Sequence, residues 1–144
     1  MTALYMVVDT ADGSIRYSVA GHPTPVIIRA GSHEARKLCH RGKLGGPALL
    51  LFEDAIFKMG ADVLASGDRI LLFTDGLTEM PAAPGSEEDL NLEGLLRLVN
   101  GLPSKDLLGL INDVMRAVLA TFGLKTFKDD VCLIGIEYHE SASQ

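Results

Sequence analysis

The order of hydrophobic patterns along the chain is the feature that most constrains its fold. Strand patterns come first, two adjacent helical patterns follow, and one more strand pattern closes the sequence. The strand patterns cover residues 1–9, 14–19, 26–28, 57–64, 69–73 and 131–138. Strands grouped ahead of helices are typical of an α+β fold, in which helices cover a mainly antiparallel sheet. We expect one domain over residues 1–139 and a disordered tail at 140–144.

The first strand segment has apolar residues on both of its alternating faces. Leu4, Met6 and Val8 lie on one face, and Tyr5 and Val7 lie on the other. This pattern predicts a strand that is buried on both sides. An Asp-Gly pair just after the segment is a strong turn signal, so we expect the first two strands to form a hairpin.

The two helical patterns differ in strength. Asn91 is the expected N-cap of a short helix, although Gly94 inside that helix costs about 1 kcal/mol relative to alanine. Ser104 is the expected N-cap of a longer second helix, which Gly123 is expected to end. The apolar stripe of the second helix is predicted to pack in the core. Its members are Leu107, Leu108, Ile111, Val114, Met115, Val118, Leu119 and Phe122.

Composition argues against several classes of protein. Hydrophobic residues make up 47% of the 144, which predicts a folded chain rather than a disordered one. The net charge of −6 argues against nucleic-acid binding, which needs clustered Lys and Arg. No membrane span or signal peptide is apparent. Cys39 and Cys132 have no paired spacing, and Cys132 is predicted to be buried, so a reducing, cytoplasmic setting is the simplest expectation.

Acidic residues flank two of the predicted buried strands. Asp75 comes just after the strand at 69–73, and Asp129 and Asp130 come before the last strand. If these strands are neighbours, the carboxylates meet, and two charges about 4 Å apart repel by about 4 kcal/mol at an effective dielectric of about 20. A hard divalent cation removes this repulsion, and Mg²⁺ or Mn²⁺ suits oxygen ligands better than Zn²⁺ does. Spacing alone slightly favours the alternative, in which these residues only cap turns.

Four segments, taken in order, carry the motifs of one family. They are Thr2-Ala3-Leu4-Tyr5 leading into Ala20-Gly21-His22-Pro23, then Leu44-Gly45-Gly46-Pro47, the stretch from Gly67 to Glu79, and Asp129-Asp130-Val131. The stretch from Gly67 to Glu79 closely resembles the matching segment of bacterial phosphatases related to stage II sporulation protein E. These enzymes are a branch of the metal-dependent protein phosphatase 2C superfamily. The resemblance runs from Thr2 to about Tyr138, and four motifs in order are far more specific than one.

The resemblance implies part of a four-layer α-β-β-α sandwich of the protein phosphatase 2C type. It also implies a centre of two Mn²⁺ or Mg²⁺ ions that hydrolyses phosphoserine or phosphothreonine in a protein, with metal-activated water as the nucleophile. Asp75 and Asp129 match the catalytic metal carboxylates, and Asp130 matches a position beside the metals. The implied substrate is a phosphorylated anti-sigma factor antagonist or a similar signalling protein. Such modules commonly follow a sensor or receiver domain.

The chain also departs from the family. The family has a further Asp-Gly metal motif ahead of the segment that matches residues 1–9, and this sequence has no match to it. We therefore expect a fragment of a larger phosphatase or a shortened homologue, with weak metal binding and little activity on its own. The rival hypothesis is a regulatory or protein-binding module that keeps the fold without a working site. Homodimerisation is one way to cover an exposed sheet edge or helix face.

Histidines and cysteines elsewhere in the chain carry weaker signals. His22 lies in one of the family motifs, but a lone histidine before a proline is more often structural than chemical. Cys39 and His40 adjoin each other and His33 is nearby, which is a partial zinc pattern. No second pair completes a tetrahedral set, so a zinc site is not expected.

Two loops were also considered as parts of a site. Leu44-Gly45-Gly46 would cradle a phosphate through backbone amides, but it opens no helix and carries no phosphate-loop lysine, so a plain turn is favoured. The acidic, proline-containing stretch at 79–89 adjoins Asp75. A substrate-contacting flap and a solvated loop are equally good interpretations of this stretch.

Overall fold

The computed structural model describes residues 1–38, 45–79, 90–103, 106–127 and 129–140. These residues form two antiparallel sheets, a single-turn 3₁₀ helix and two α-helices. The strands are β1 (Ala3–Val8), β2 (Ser14–Ala20), β3 (Val26–Ile28), β4 (Ala35–Lys37), β5 (Met59–Val63), β6 (Arg69–Phe73) and β7 (Leu133–Glu137). The 3₁₀ helix spans Asp75–Leu77, and the α-helices are α1 (Leu92–Asn100) and α2 (Leu107–Thr121).

One sheet has the strand order β1-β2-β5, and the other has the order β4-β3-β6-β7. The predicted hairpin is confirmed, because β1 and β2 pair along their length from Ala3↔Ala20 to Val8↔Ile15. Gly13 in the turn has a φ of 72°, a conformation that glycine adopts without strain. A Cβ atom there would also lie 2.4 Å from the carbonyl oxygen of Leu64, so the turn has no room for a side chain.

Two hydrophobic cores separate three layers. The first lies between the two sheets and includes Ile15 and Tyr17 from β2 with Ile27 and Ile70 from the four-stranded sheet. The second lies between the four-stranded sheet and the helices. Its fully buried members include Val26, Leu71, Leu95, Val114 and Val118. The order of layers is therefore helices, four-stranded sheet and three-stranded sheet, in agreement with the expected α+β fold and with part of a four-layer sandwich.

The outer face of the three-stranded sheet is uncovered by the residues that the structure describes. We call this surface, formed by Tyr5, Val7, Arg16, Met59 and Val63, the bare face. Tyr5 and Met59 are each 71% exposed, and Val63 is 59% exposed. The prediction that the first strand is buried on both sides is therefore wrong. Its inner face packs in the core between the sheets, but no described element lies on the other.

The helices begin with capping side chains, although one cap differs from the prediction. The Asn91 side chain accepts a hydrogen bond from the Gly94 amide at 3.0 Å, which confirms the first helix and its N-cap. The second helix is capped by Asp106, which accepts from the Gly109 amide at 2.7 Å. The prediction of Ser104 as the cap is wrong, because the helix begins later, and Ser104 itself lies outside the described residues.

The apolar stripe of α2 packs largely as predicted. Val114, Val118 and Phe122 are buried against the four-stranded sheet. Leu108 is 69% exposed, contrary to the prediction, and Leu110 is buried instead. The later start of the helix puts Leu108 in its first turn, away from the sheet. Gly123 follows the helix with a φ of 61°, as expected for a glycine that ends a helix.

An ion-pair network joins the two sheets at one end. Arg29, just after β3, pairs with Asp62 of β5 and with Asp68, at 2.7 Å in each case. Asp68 is only 2% exposed and also accepts from the amides of Ala30 and Ala65. Burial raises the pKa of Asp68, but these hydrogen bonds and the Arg29 charge outweigh it and hold the pKa below its ordinary value. We call this network the Arg29 tie.

Neither α1 nor α2 is a candidate for crossing a bilayer, since within the described ranges no helix combines the required length and hydrophobicity.

Candidate metal centre

The acidic segments predicted to form a site lie at the same end of the four-stranded sheet. Strands β6 and β7 are antiparallel neighbours, and Phe73 at the end of β6 is opposite Leu133 at the start of β7. The chain that follows β6 therefore adjoins the chain that precedes β7. This confirms that the two strands are neighbours, which the predicted meeting of the acidic residues requires. Asp75 lies in the first of these segments, which we call the Asp75 turn, and Asp129 and Asp130 lie in the second, the Asp129–Asp130 turn.

Thr74 links the two turns. Its amide donates to the carbonyl oxygen of Cys132 at 3.1 Å, which extends the β6–β7 pairing by one step. Its hydroxyl oxygen accepts from the Cys132 amide at 3.0 Å and donates to the carbonyl oxygen of Asp130 at 3.3 Å. Three hydrogen bonds from one residue thus hold the Asp129–Asp130 turn against the Asp75 turn.

Gly76 permits the close approach of the two turns. A Cβ atom at this position would lie 2.5 Å from the carbonyl oxygen of Asp130, well inside van der Waals contact. The conflict is with backbone rather than with a flexible side chain, so a larger residue would push the turns apart. Gly76 is buried, and its amide donates to the Asp75 carboxylate at 2.9 Å. The glycine of this motif is therefore needed for space.

The carboxylates of Asp75, Asp129 and Asp130 are exposed at this end of the sheet. Asp129 accepts from the Asp130 amide at 2.8 Å, and Asp75 accepts from Gly76, so each uses only part of its acceptor capacity. Oxygen donors of this kind fit a hard divalent cation, which one or two carboxylates can hold while water completes the shell. Among the described residues, no three His, Cys, Asp or Glu side chains lie close enough to hold a metal ion.

A small cleft borders the Asp75 turn. It has a volume of about 190 Å³ and is lined by Leu4, His22, Leu72, Phe73, Thr74, Cys132 and Ile134. His22 is half-buried, and its Nδ1 lies 3.0 Å from the carbonyl oxygen of Pro23. Cys132 is exposed, so the prediction of a buried cysteine is wrong. The residue precedes β7 at the open end of the sheet, where its apolar sequence neighbours do not enclose it.

Two other motifs meet beside this cleft. The Gly21 amide donates to the carbonyl oxygen of Gly46 at 3.0 Å, and the Gly46 amide donates to that of Val19 at 2.9 Å. The Gly46 amide of the glycine segment is therefore bonded to backbone and is not available to a phosphate, and Gly46 forms an isolated parallel bridge with Ala20 rather than part of a turn. Leu44, at the start of that segment, lies outside the described residues.

Several weaker candidates receive no structural test. Cys39, His40 and the proposed flap at 80–89 lie outside the described residues, while His33 is exposed in a turn. Thr74 lies within the motif from Gly67 to Glu79, but the sequence predicts no role for it. The signal was a hydroxyl residue between a buried strand and an acidic turn, a position from which its side chain can reach a neighbouring strand.

Comparison with known proteins decides how this arrangement is classified. The profile of the stage II sporulation protein E (SpoIIE) family matches residues 1–139. The chain belongs to the SpoIIE family. The match includes every motif on which the sequence resemblance was based, together with both turns of the candidate metal centre.

Solved structures of SpoIIE-like proteins share the fold. The phosphatase domain of SpoIIE from Bacillus subtilis, presoaked with Mn, superposes with a TM-score of 0.75 at 17% identity, over 99% of this chain and 58% of that one. The RsbU and RsbW domains of Rv1364c from Mycobacterium tuberculosis give 0.76 at 26% identity, over 99% and 37%. The SiaA-PP2C domain of Pseudomonas aeruginosa gives 0.72 at 14%, over 95% and 51%. The chain thus spans between 37% and 58% of the length of these solved chains and carries the PP2C-type α+β fold.

Proposed function

We propose that this chain is the C-terminal portion of a metal-dependent protein serine/threonine phosphatase domain. In this proposal, Asp75 and Asp129 hold Mn²⁺ or Mg²⁺, and Asp130 lies beside the metals. The observation that carries it is the contact between the Asp75 turn and the Asp129–Asp130 turn, made by Thr74 and Gly76 in a member of the SpoIIE family.

The residues of this chain would supply ligands and their orientation. Asp75 and Asp129 offer exposed carboxylate oxygens at one end of the sheet, and the hydrogen bonds from Gly76 and Asp130 amides fix one oxygen of each. When bound, divalent metal ions lower the pKa of a coordinated water and neutralise phosphoryl oxygens. That chemistry needs no nucleophilic side chain.

The proposed substrate is a phosphoserine or phosphothreonine in a signalling protein, such as an anti-sigma factor antagonist. Similarity to a chain with RsbU and RsbW domains, and to SpoIIE with part of its regulatory domain, supports a role in regulated dephosphorylation. We propose accordingly that the activity is cytoplasmic and is controlled by a sensor or receiver domain. We also propose that this chain alone binds metal weakly and has little activity, because only two of the expected motif ligands occur in it.

A second candidate function is a protein-binding module that keeps the phosphatase fold. The observation that favours it is the bare face, where Tyr5 and Val7 on β1 and Met59 and Val63 on β5 expose apolar surface. Polar residues of β2, which lies between these strands, separate the two apolar groups. Clustered exposed apolar residues mark interaction sites more often than isolated ones do.

Titration with Mn²⁺, followed by the loss of the free-ion electron paramagnetic resonance signal, tests the first proposal. We expect weak, saturable binding to the wild-type chain that Asp75→Asn and Asp129→Asn each weaken by at least about tenfold, because each removes an anionic ligand. Asp54→Asn, which removes an equally exposed carboxylate from a loop distant in sequence, is the matched control and should bind as the wild type does.

Phosphate release from a phosphoserine peptide completes the test. Slow release that depends on Mn²⁺ and is lost in Asp75→Asn supports the phosphatase. Binding that is the same in the wild type and in Asp75→Asn contradicts the assigned ligands. If the wild type also releases no phosphate, the protein-binding module becomes the better explanation.

A further inference from the structure

We propose that Thr74 is a positioning residue, whose hydroxyl group sets the separation and orientation of the two acidic turns. This inference deepens the proposed function, on which its consequence for metal binding rests. It also makes a claim about the metal-free chain that can be tested by itself. Thr74 bears no charge and offers no carboxylate, so its role is to act through Asp75 and the Asp129–Asp130 turn.

The Thr74 hydroxyl forms its hydrogen bonds outside its own helix. Thr74 occupies the N-cap position of the 3₁₀ helix Asp75–Leu77, where a threonine side chain commonly accepts a hydrogen bond from its own helix. Thr74 makes no such capping bond. Its hydroxyl instead reaches across to residues 56 and 58 positions later in the chain. The side chain therefore joins two segments and leaves its own helix uncapped.

The Thr74 hydroxyl also takes over where the backbone pairing of β6 and β7 ends. The β6–β7 ladder ends at Phe73↔Leu133, and the Thr74 amide adds one bond to the Cys132 carbonyl. Beyond this point, the Thr74 hydroxyl makes the next two links, to the Cys132 amide and to the Asp130 carbonyl. Asp130 adjoins Asp129, whose carboxylate accepts from the Asp130 amide. The hydroxyl thus holds the carbonyl of Asp130, the residue whose own amide orients the carboxylate of a candidate metal ligand.

The two hydrogen bonds of the Thr74 side chain need a group that both accepts and donates. A hydroxyl does this with one oxygen atom, and serine would serve as well as threonine. Valine has the shape of threonine but supplies neither function, so Thr74→Val would leave the Cys132 amide and the Asp130 carbonyl without this partner. Gly76 also favours this contact, because the absence of a side chain lets the Asp130 carbonyl approach. Thr74 supplies the hydrogen bond to that carbonyl, and Gly76 supplies the space for it.

Hydrogen exchange of the Cys132 amide, measured by NMR on the full metal-free chain, tests the link itself. We expect Thr74→Val to exchange this amide about threefold to tenfold faster than the wild type, the effect of losing one ordinary hydrogen bond. Thr74→Ser should stay within about twofold of the wild type, because it keeps the hydroxyl. Thr78→Val is the control, since the Thr78 hydroxyl bonds only within its own turn, to the Asp75 carbonyl.

Mn²⁺ titration of the same variants tests positioning. We expect Thr74→Val to weaken Mn²⁺ binding by about tenfold or more, as losses of ligand-orienting groups do, and Thr74→Ser to restore it. Unchanged Cys132 exchange in Thr74→Val would overturn the inference, and so would a Thr74→Ser variant that behaves like Thr74→Val. Faster exchange of the Cys132 amide with unchanged Mn²⁺ affinity would also overturn it, because Thr74 would then stabilise the contact between the turns without affecting metal binding.

The two proposals fail in different ways. If the wild-type chain shows no binding that depends on Asp75, the proposed metal site fails, while the exchange experiment still decides whether Thr74 links the turns. If binding depends on Asp75 but is the same in Thr74→Val, the metal site stands and the positioning role fails. Thermal unfolding of each variant identifies any that is globally destabilised, and Thr74→Ser then provides the comparison at native stability.

Discussion

The two sheets of this protein are similar in size but differ in what lies on their outer faces. The four-stranded sheet packs against α1 and α2, and Leu95 and Val114 in that core are fully buried. The three-stranded sheet presents the bare face, where Tyr5 and Met59 are each 71% exposed. Both sheets share the inner core between them, so the described residues pack on two sides of the four-stranded sheet and on one side of the three-stranded sheet.

This difference shows how far a hydrophobic pattern can be interpreted. The sequence of β1 is apolar on both faces, as expected for a strand with neighbours above and below, yet only its inner face is packed by described residues. The hydrophobic pattern indicates which faces of a strand are suited to burial. The structure shows which of those faces are covered by the described residues of this chain. The bare face is therefore a surface suited to burial by something beyond the described residues.

The largest expected effect comes from equal truncations on the two sides of the comparison. Leu95→Ala should lower the free energy of unfolding by about 3 kcal/mol, because it leaves a cavity between α1 and the covered sheet. Met59→Ala on the bare face should change it by less than about 0.5 kcal/mol, because that side chain is mostly in solvent. Urea denaturation followed by circular dichroism measures both. A cost of 2 kcal/mol or so at Met59 would show that the bare face is covered in solution.

The Arg29 tie should matter next, because it joins the two unequal sheets. Asp68→Asn should lower the free energy of unfolding by about 2 kcal/mol at neutral pH, since Arg29 loses its buried anionic partner. Asp62→Asn, at the same arginine but on a 27% exposed carboxylate, should cost less than half as much. Equal costs at the two positions would contradict the importance of burial in this network.

The pH dependence of the same variant has a definite sign. The folded-state pKa of Asp68 lies below the ordinary value of 3.8, so the unfolded chain binds this proton more readily than the folded one. The stability contributed by Asp68 is therefore complete above that value and is lost as the pH falls through the folded-state pKa. Asp68→Asn should remove this part of the acid destabilisation, which unfolding curves collected between about pH 2 and pH 6 would show.

The smallest expected effect is a gain in stability on the side of the bare face. Leu50, in the segment that leads into β5, has a φ of 66° and is 95% exposed. A leucine in this conformation is strained by about 1–2 kcal/mol, and glycine would relieve that strain at an entropic cost of about 0.5–1 kcal/mol. Leu50→Gly should therefore raise the free energy of unfolding by about 0.5 kcal/mol. Leu51→Gly, at a position without a positive φ, should lower the free energy of unfolding. If both variants lose stability, Leu50 is not strained.

Local features of the fold were predictable from sequence. Short apolar runs predict the bounds of β3 and β6. The Asn91 cap was predictable because its partner, the Gly94 amide, is only three residues away. The meeting of Asp75 with the Asp129–Asp130 turn also followed, because strand ends limit where neighbouring residues can lie. Such features depend on interactions within a few residues or on a single strand pairing.

The features that sequence did not predict depend on distant parts of the chain. Ser104 and Asp106 are both good capping residues, and the local pattern does not show that the helix begins after Asp106. The exposure of Cys132 depends on where β7 starts relative to the sheet end, which its apolar neighbours do not reveal. The role of Thr74 depends on a partner 56 residues away.

That separation has a consequence for the order of folding. The contacts of Thr74 with Asp130 and Cys132 form only after a long loop has closed and β7 has docked on β6, which is an entropically slow event compared with forming the first hairpin. The two acidic turns are therefore assembled late, by the last strand of the described fold. A chain in which β7 has not docked on β6 lacks the assembled centre. Metal binding at the proposed site would therefore report that β7 has docked.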